Sequence, residues 1–212
     1  AFDSSKFDLN QESVNSPNKV RVDLNNNNFY LNTSYNGGFG NNWQVTTGLS
    51  YGYSKNKLGL DLDKLNNDEN ASHLKFKLRK SISQHVKLAF GTDYFITRFN
   101  EDFTPNSGFG GTSGYNSSIA AAFAEGDILF TKNFAAKVGV RASYNDLLDE
   151  TAVAPRVSLA YKLNKTSQFS FAYGHFTQAP SVDFIKYSKM HQFESEKASH
   201  YILNFQYNND RQ

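Results

Sequence analysis

Apolar and polar residues alternate along most of this chain. In "PRVSLAYKLNKTSQFSFAYGHFTQAP", residues 155–180, Val157, Leu159 and Tyr161 hold alternate positions, and so do Phe169, Phe171 and Tyr173. Arg156, Ser158, Ala160, Lys162, Ser170, Ala172 and Gly174 stand between them. Side chains alternate faces along a strand, so the spacing predicts two half-apolar strands joined by a tight turn at Asn164-Lys165-Thr166. The same row recurs from Trp43 to Tyr53, Leu74 to Leu78, Val86 to Ile96, Ala120 to Phe130, Phe134 to Tyr144 and Tyr201 to Tyr207. A further strand is expected over Phe29 to Tyr35, preceded by Lys19 to Leu24, with Asn25-Asn26-Asn27-Asn28 shifting the alternation as a bulge or turn would. The expectation is an all-β chain of about nine strands and no helix.

The connections separate a barrel from other antiparallel folds. Short turns are expected near Gly37-Gly38, Ser83-Gln84, Lys132-Asn133 and Asn164-Lys165, and long links over 55–70, 100–116 and 177–196, with 147–151 the short exception. Short turns on one side and long loops on the other form the pattern of an outer-membrane barrel. All four prolines (Pro17, Pro105, Pro155, Pro180) are expected in loops or at strand ends, where a missing N–H does least harm. With the short turns periplasmic, Trp43, Phe130, Phe134, Tyr161, Phe169, Phe205 and Tyr207 line one end of the apolar face. Tyr51, Tyr53, Tyr94, Tyr144, Tyr173 and Tyr201 line the other, with aliphatics such as Val45, Leu88, Val138, Val140 and Leu203 between. Two aromatic belts around an aliphatic band suit the two interfaces of a membrane. A soluble β-sandwich filling its own core has the same period, but gives no reason for the belts or the uneven loops.

Composition narrows the classes further. The chain has 212 residues, 39% apolar and 20% charged, with a formal net charge of +2, so no basic bias points to nucleic acid. Without Cys there is neither a disulfide framework nor a thiolate metal site. The longest clean apolar run, "IAAAFA" at 119–124, is far short of a spanning helix. The opening "AFDSSKFDLN" lacks a signal-peptide pattern, so either a leader was cleaved or the chain begins inside a longer one.

Three stretches resemble the barrel of TonB-dependent outer-membrane receptors: "APRVSLAYKL" (Ala154 to Leu163), "FSFAYGHFTQAP" (Phe169 to Pro180) and "ESEKASHYILNFQY" (Glu194 to Tyr207). The elements that carry it are Pro155-Arg156-Val157-Ser158, Tyr173-Gly174, Gln178-Ala179-Pro180 and Glu196-Lys197-Ala198, in order. The resemblance implies a bacterial outer-membrane transporter, a barrel of about 22 strands around an N-terminal plug. In that family TonB pulls on the plug to admit a scarce ligand such as a siderophore, cobalamin, glycan or peptide. Nothing here looks like a plug, about nine strands fall short of the whole, and "YNNDRQ" lacks a terminal aromatic. Residues 1–212 are therefore expected to be one section of a larger barrel, with membrane lipid or lipopolysaccharide, the plug, the remaining strands, TonB and the ligand as partners. No nucleic acid and no cofactor is expected. The Asn-rich, Tyr-rich, Cys-free style suggests a Bacteroidetes-like source.

Candidate site residues follow from this reading. Lys75, Lys77, Arg79, Lys87, Lys137, Arg141, Arg156 and Lys162 are expected to face the lumen, with Asp93, Glu125 and Asp127 nearby, either guiding an anionic ligand or pairing with the plug. The loop 177–196 offers Gln178, Phe184, Tyr187, His191 and Phe193 as ligand contacts, although 182–193 could also form a short rim-packing helix. His191, Glu194, Glu196 and His200 lack a metal-ligand spacing, so no metal site is expected. "GFGGTSG" (Gly108 to Gly114) precedes no helix and reads as a flexible loop rather than a phosphate cradle. No Ser/His/Asp set or carboxylate pair has a catalytic context, so no enzyme is expected. A barrel or sheet serving adhesion or a structural role, without transport, is the reading from another class.

Overall fold

The computed structural model describes residues 1–12, 19–181, 184–185 and 193–208. It contains ten strands: β1 (Phe2–Gln11), β2 (Val20–Phe39), β3 (Trp43–Leu60), β4 (Asp63–Ser81), β5 (Val86–Thr104), β6 (Gly111–Leu129), β7 (Phe134–Asn145), β8 (Glu150–Lys162), β9 (Ser167–Gln178) and β10 (Glu196–Tyr207). They form one antiparallel sheet in sequence order, each strand paired with its chain neighbours, so β1 and β10 each leave one edge open. No helix of the described residues is long and apolar enough to cross a membrane, which says nothing of crossing by strands.

The sheet is inside-out by the standards of a soluble fold. On one face Ala89, Asp93, Phe99, Glu101, Ala121 and Ala154 are buried, while Leu88, Phe90, Tyr94, Val138 and Val140 on the other are exposed. A flat single layer would expose both faces alike, so the sheet curls around its polar side. Register carries the pattern across strands: Leu49, Leu74, Tyr94, Ala120 and Tyr144 lie in one outward row. Lys75, Asp93, Ala121 and Ser143 lie in an inward one. All ten expected interface aromatics (Trp43, Tyr51, Tyr53, Tyr94, Tyr144, Tyr161, Tyr173, Tyr201, Phe205 and Tyr207) occupy outward positions. Lys80 holds its ammonium 4.7 Å from the Trp43 ring and donates to the Asn41 carbonyl at 2.8 Å, at the short-turn end of that face.

Five expectations change, the last at Pro155. The strand count is ten rather than nine, because Phe2–Gln11 pairs with β2 along its full length. Gly37 and Gly38 belong to β2, and its turn follows at residues 40–42. The links at 55–70 and 100–116 are mostly strand: β3 and β4 meet in a two-residue turn, Asp61-Leu62, and the β5–β6 loop is only 105–110. Asp61 takes the left-handed region (φ 55°), which a short Asx side chain tolerates, and its carboxylate accepts from the Arg21 amide at 2.7 Å. The tall side of the wall is therefore built of extended strands, and β9 and β10 are separated in sequence by residues 179–195. Asn25 to Asn28 form neither bulge nor turn, since both ladders pass through them without a break.

What shifts at the Asn run is polarity, not register. Phe29 and Leu31 point outward beside Tyr53 and Tyr51, whereas Val22 and Leu24 point inward beside Leu60 and Leu58. Beyond the belt the outward row becomes Lys6, Asn25, Lys57, Asn66 and Asp102. The strands thus run on past the apolar band, and the preference for apolar side chains changes face where they leave it.

Pro155 lies inside β8 rather than at a strand end. The β8–β9 ladder stops at Arg156↔Gly174, one pair short of it, although β8 continues to Glu150 and β9 to Gln178. A proline has no N–H to give a neighbouring strand, which accounts for where the ladder opens.

Candidate ligand-facing wall

The inward register positions of β4 to β9 assemble the candidate site. Lys75, Lys77, Arg79, Lys87, Lys137, Arg141, Arg156 and Lys162 all occupy them. Their environments divide the set. Asp93, buried at 7% exposure, accepts from Arg141 Nη1 at 2.6 Å and faces His73 Nε2 at 3.1 Å, and the His73 ring stacks on Phe95 at 4.0 Å. Lower on the wall Lys137 lies 3.4 Å from Glu125 and 3.5 Å from Asp127, with Arg79 at 4.0 Å from Asp127. Three of the eight cations are therefore already neutralised locally.

Lys75, Lys77 and Arg156 have no carboxylate within ion-pair distance among the described residues, and line a hollow of about 180 Å³ with Phe123, Glu125 and Arg141. Lys77 lies 5.8 Å from the Phe123 ring centre and Arg156 5.1 Å from that of Phe176, contacts that orient a cation without neutralising it. Lys87 lines a separate hollow of about 520 Å³ near the short-turn end. A hollow of about 270 Å³ opens between the unpaired stretches of β8 and β9, lined by Phe95, Ile119, Glu150, Arg156, Phe176 and Ser195 among others. A hollow of about 840 Å³ lies mainly on the outward face of the strand extensions, around Lys55, Lys57, Asn66, Asp68 and Asp102, away from the cationic wall.

Glu150 anchors the long loop. Its carboxylate accepts from the Ser195 amide at 2.7 Å and meets Lys197 Nζ at 3.2 Å, joining β8 to the start of β10. The Ser195 amide bond, with help from Lys197, holds the Glu150 carboxyl below its usual range, and Glu150 in turn raises the Lys197 ammonium. Of the expected loop contacts, Gln178 ends β9, Phe184 is exposed and its amide donates to the Ser181 carbonyl, and Phe193 is partly exposed. Tyr187 and His191 lie outside the described residues. Sequence reasoning missed His73 and Glu150. The parity of His73 with Lys75 was available as a signal, whereas the Glu150 contact depends on how the loop returns. Among the described residues no group of three or more His, Asp or Glu could hold a metal ion.

Known proteins match in fold and in family. The solved structures include the alcaligin outer-membrane receptor FauA of Bordetella pertussis, with TM-score 0.71 and 13% identity over 96% of this chain and 36% of that one. They include the FpvAI–pyocin S2 complex, at 0.63 and 13% over 89% and 30%. The ferric yersiniabactin uptake receptor FyuA of Yersinia pestis matches at 0.63 and 14% over 93% and 35%. The chain thus spans about a third of the length of these receptors. No curated protein sequence matches it. The family described as TonB dependent receptor-like, beta-barrel matches residues 2–212. Such barrels are outer-membrane proteins of bacteria and are receptors, not enzymes, and this chain belongs to that family.

Proposed function

We propose that residues 1–212 form part of the wall of a larger plugged barrel that imports a scarce ligand across the outer membrane, with TonB acting on the plug. The observation that carries this reading is an inside-out sheet with two open edges. Unpaired backbone at the β1 and β10 edges cannot face hydrocarbon, so further strands must complete the wall. The ion-paired inner face gives a plug polar groups to rest against. Lys75, Lys77 and Arg156 supply positive potential at mid-wall, and Gln178, Phe184, Tyr187, His191 and Phe193 are the proposed outer ligand contacts. Among siderophore, cobalamin, glycan and peptide, the unneutralised cations favour an anionic iron chelate, in keeping with the ferric yersiniabactin receptor among the similar structures.

The test is deletion of the gene for the intact receptor, followed by growth limited in turn for iron chelate, cobalamin, glycan and peptide. The expected result is loss of iron-chelate uptake, reproduced when the proton gradient is collapsed, and loss of another nutrient instead would overturn the choice of ligand. Unchanged uptake of all four with reduced surface attachment would instead establish the adhesion reading.

A further inference from the structure

The β8–β9 seam divides the upper wall into two paired halves. On one side β7 and β8 stay laddered up to Asn145↔Glu150, and on the other β9 and β10 stay laddered up to Gln178↔Glu196. Between the halves pairing ends at Arg156↔Gly174, so residues 150–155 of β8 and 175–178 of β9 run on without ladder bonds to each other. Among the described strands, every other neighbouring pair is laddered along nearly all of its shorter member. Both strands have their chain neighbours beside them, so this opening is not a barrel edge. The absent N–H of Pro155 removes one rung but not those that would follow it, so the two halves part as bodies. The seam opens just beyond Tyr173, the outward belt marker of β9, where water rather than hydrocarbon meets unpaired backbone.

The lower end of the seam has the parts of a pivot. Gly174 carries no side chain, and the Phe176 ring folds back over it, 3.0 Å from where a Cβ would stand. The same ring lies 5.1 Å from the Arg156 guanidinium across the seam and 4.8 Å from the His200 ring on β10. A ring resting on bare glycine backbone leaves that backbone free to turn. The upper end is closed differently. Glu150 reaches across from the end of β8, its carboxylate accepting from the Ser195 amide at 2.7 Å and meeting Lys197 Nζ of β10 at 3.2 Å. Between pivot and bridge lies the hollow of about 270 Å³, bounded by Ala152 and Ala154 on one side and Thr177 and Ala179 on the other, side chains too small to fill it.

We propose that the upper arm of β9 and β10 swings against β7 and β8 about Arg156 and Gly174, with Glu150 as the latch that holds it shut. Releasing the latch frees the arm without breaking a ladder, since none crosses the seam above the pivot. The cost of opening therefore rests on the Glu150 bonds and on the packing around Phe176. The motion belongs to this chain's own strands and is independent of which ligand is imported. It uses the barrel reading only to place the arm on the outer side of the belt.

The experiment uses the intact receptor in phospholipid vesicles, with any cysteine elsewhere replaced by serine, since residues 1–212 contain none. Spin labels on Asn116→Cys and Thr177→Cys, both exposed, report across the seam from β6 to β9. Labels on Asn116→Cys and Val153→Cys report within the fixed half, from β6 to β8. Distances are measured by pulsed electron paramagnetic resonance with and without Glu150→Ala. Loss of the charge-assisted latch should raise the ratio of open to closed about tenfold, from about one molecule in twenty open to about one in three. The expected result is a second, longer Asn116–Thr177 distance that grows in Glu150→Ala, with the Asn116–Val153 distance single throughout. An Asn116–Thr177 distance that Glu150→Ala leaves unchanged overturns the proposal. Lengthening of both pairs overturns it too, because the whole wall has then loosened. Iron-chelate uptake by the same strains reports separately on the transport reading.

Discussion

Gly91 shows how tightly single positions constrain this wall. It faces Phe123 directly across the β5–β6 ladder, and a Cβ added there would meet the Phe76 carbonyl oxygen and come within 2.9 Å of the Phe123 ring. Gly91→Ala should therefore destabilise the intact receptor by about 1–3 kcal/mol in urea unfolding from detergent, as overpacking does. An unchanged midpoint would mean that the β4 backbone at Phe76 and the Phe123 ring both give way without cost. Asp93 tests the polar side. With Arg141 at 2.6 Å and His73 at 3.1 Å, its buried carboxylate serves two neighbours on different strands. A cycle of Asp93→Asn and Arg141→Gln should show coupling of about 1 kcal/mol or more, and additivity within about 0.5 kcal/mol would make the contact incidental. Which face a residue takes was legible from parity alone. Which cations are neutralised was not, because that depends on neighbours one and two strands away, such as Asp93 for Arg141 and Glu125 for Lys137.

At the scale of elements, the strands were legible where apolar and polar residues alternate and illegible where both faces are polar. β1, "FDSSKFDLNQ", carries few apolar positions and gains its pairing from β2. The outer halves of β3 to β5 read as loops because their Asn, Asp and Lys residues look like turn composition, yet ladder hydrogen bonds hold them extended. The long loop is joined to the wall by Glu150, and its protonation sets a pH dependence. A carboxyl depressed in the folded state contributes stability above its unfolded value and loses it as pH falls through the lower folded value. Amide exchange at Ser195, corrected for intrinsic rate, should thus stay protected at neutral pH and lose protection only on acidification below the ordinary carboxylate range. Glu150→Gln, keeping an acceptor oxygen but no charge, should flatten that dependence. A wild-type profile already flat would show that the Ser195 amide is held by something else.

For the whole molecule, the decisive fact is that one strand parity changes meaning with height. Val140 and Asn100 both point outward, yet Val140 lies in the aliphatic band of β7 and Asn100 in the polar extension of β5, beside Asp68 and Gly114. The outward placement of both aromatic rows was legible in the sequence, because these residues recur on one parity at either end of the aliphatic stretch. The height of the wall beyond the outer belt was hidden, since the inversion there resembles a bulge. If lipid ends at that belt, equal substitutions must have unequal costs. Val140→Arg should weaken folding of the intact receptor into lipid vesicles by about 2–4 kcal/mol, the cost of a cation near mid-bilayer on an outward barrel position. Asn100→Arg, on the same face but above the belt, should change it by no more than about 0.5 kcal/mol, as a surface exchange does. Equal penalties would extend the lipid over the strand extensions. Unequal penalties in the expected order would set the membrane boundary between Tyr53 and Lys55 on β3, where the outward side chains turn from aromatic to charged.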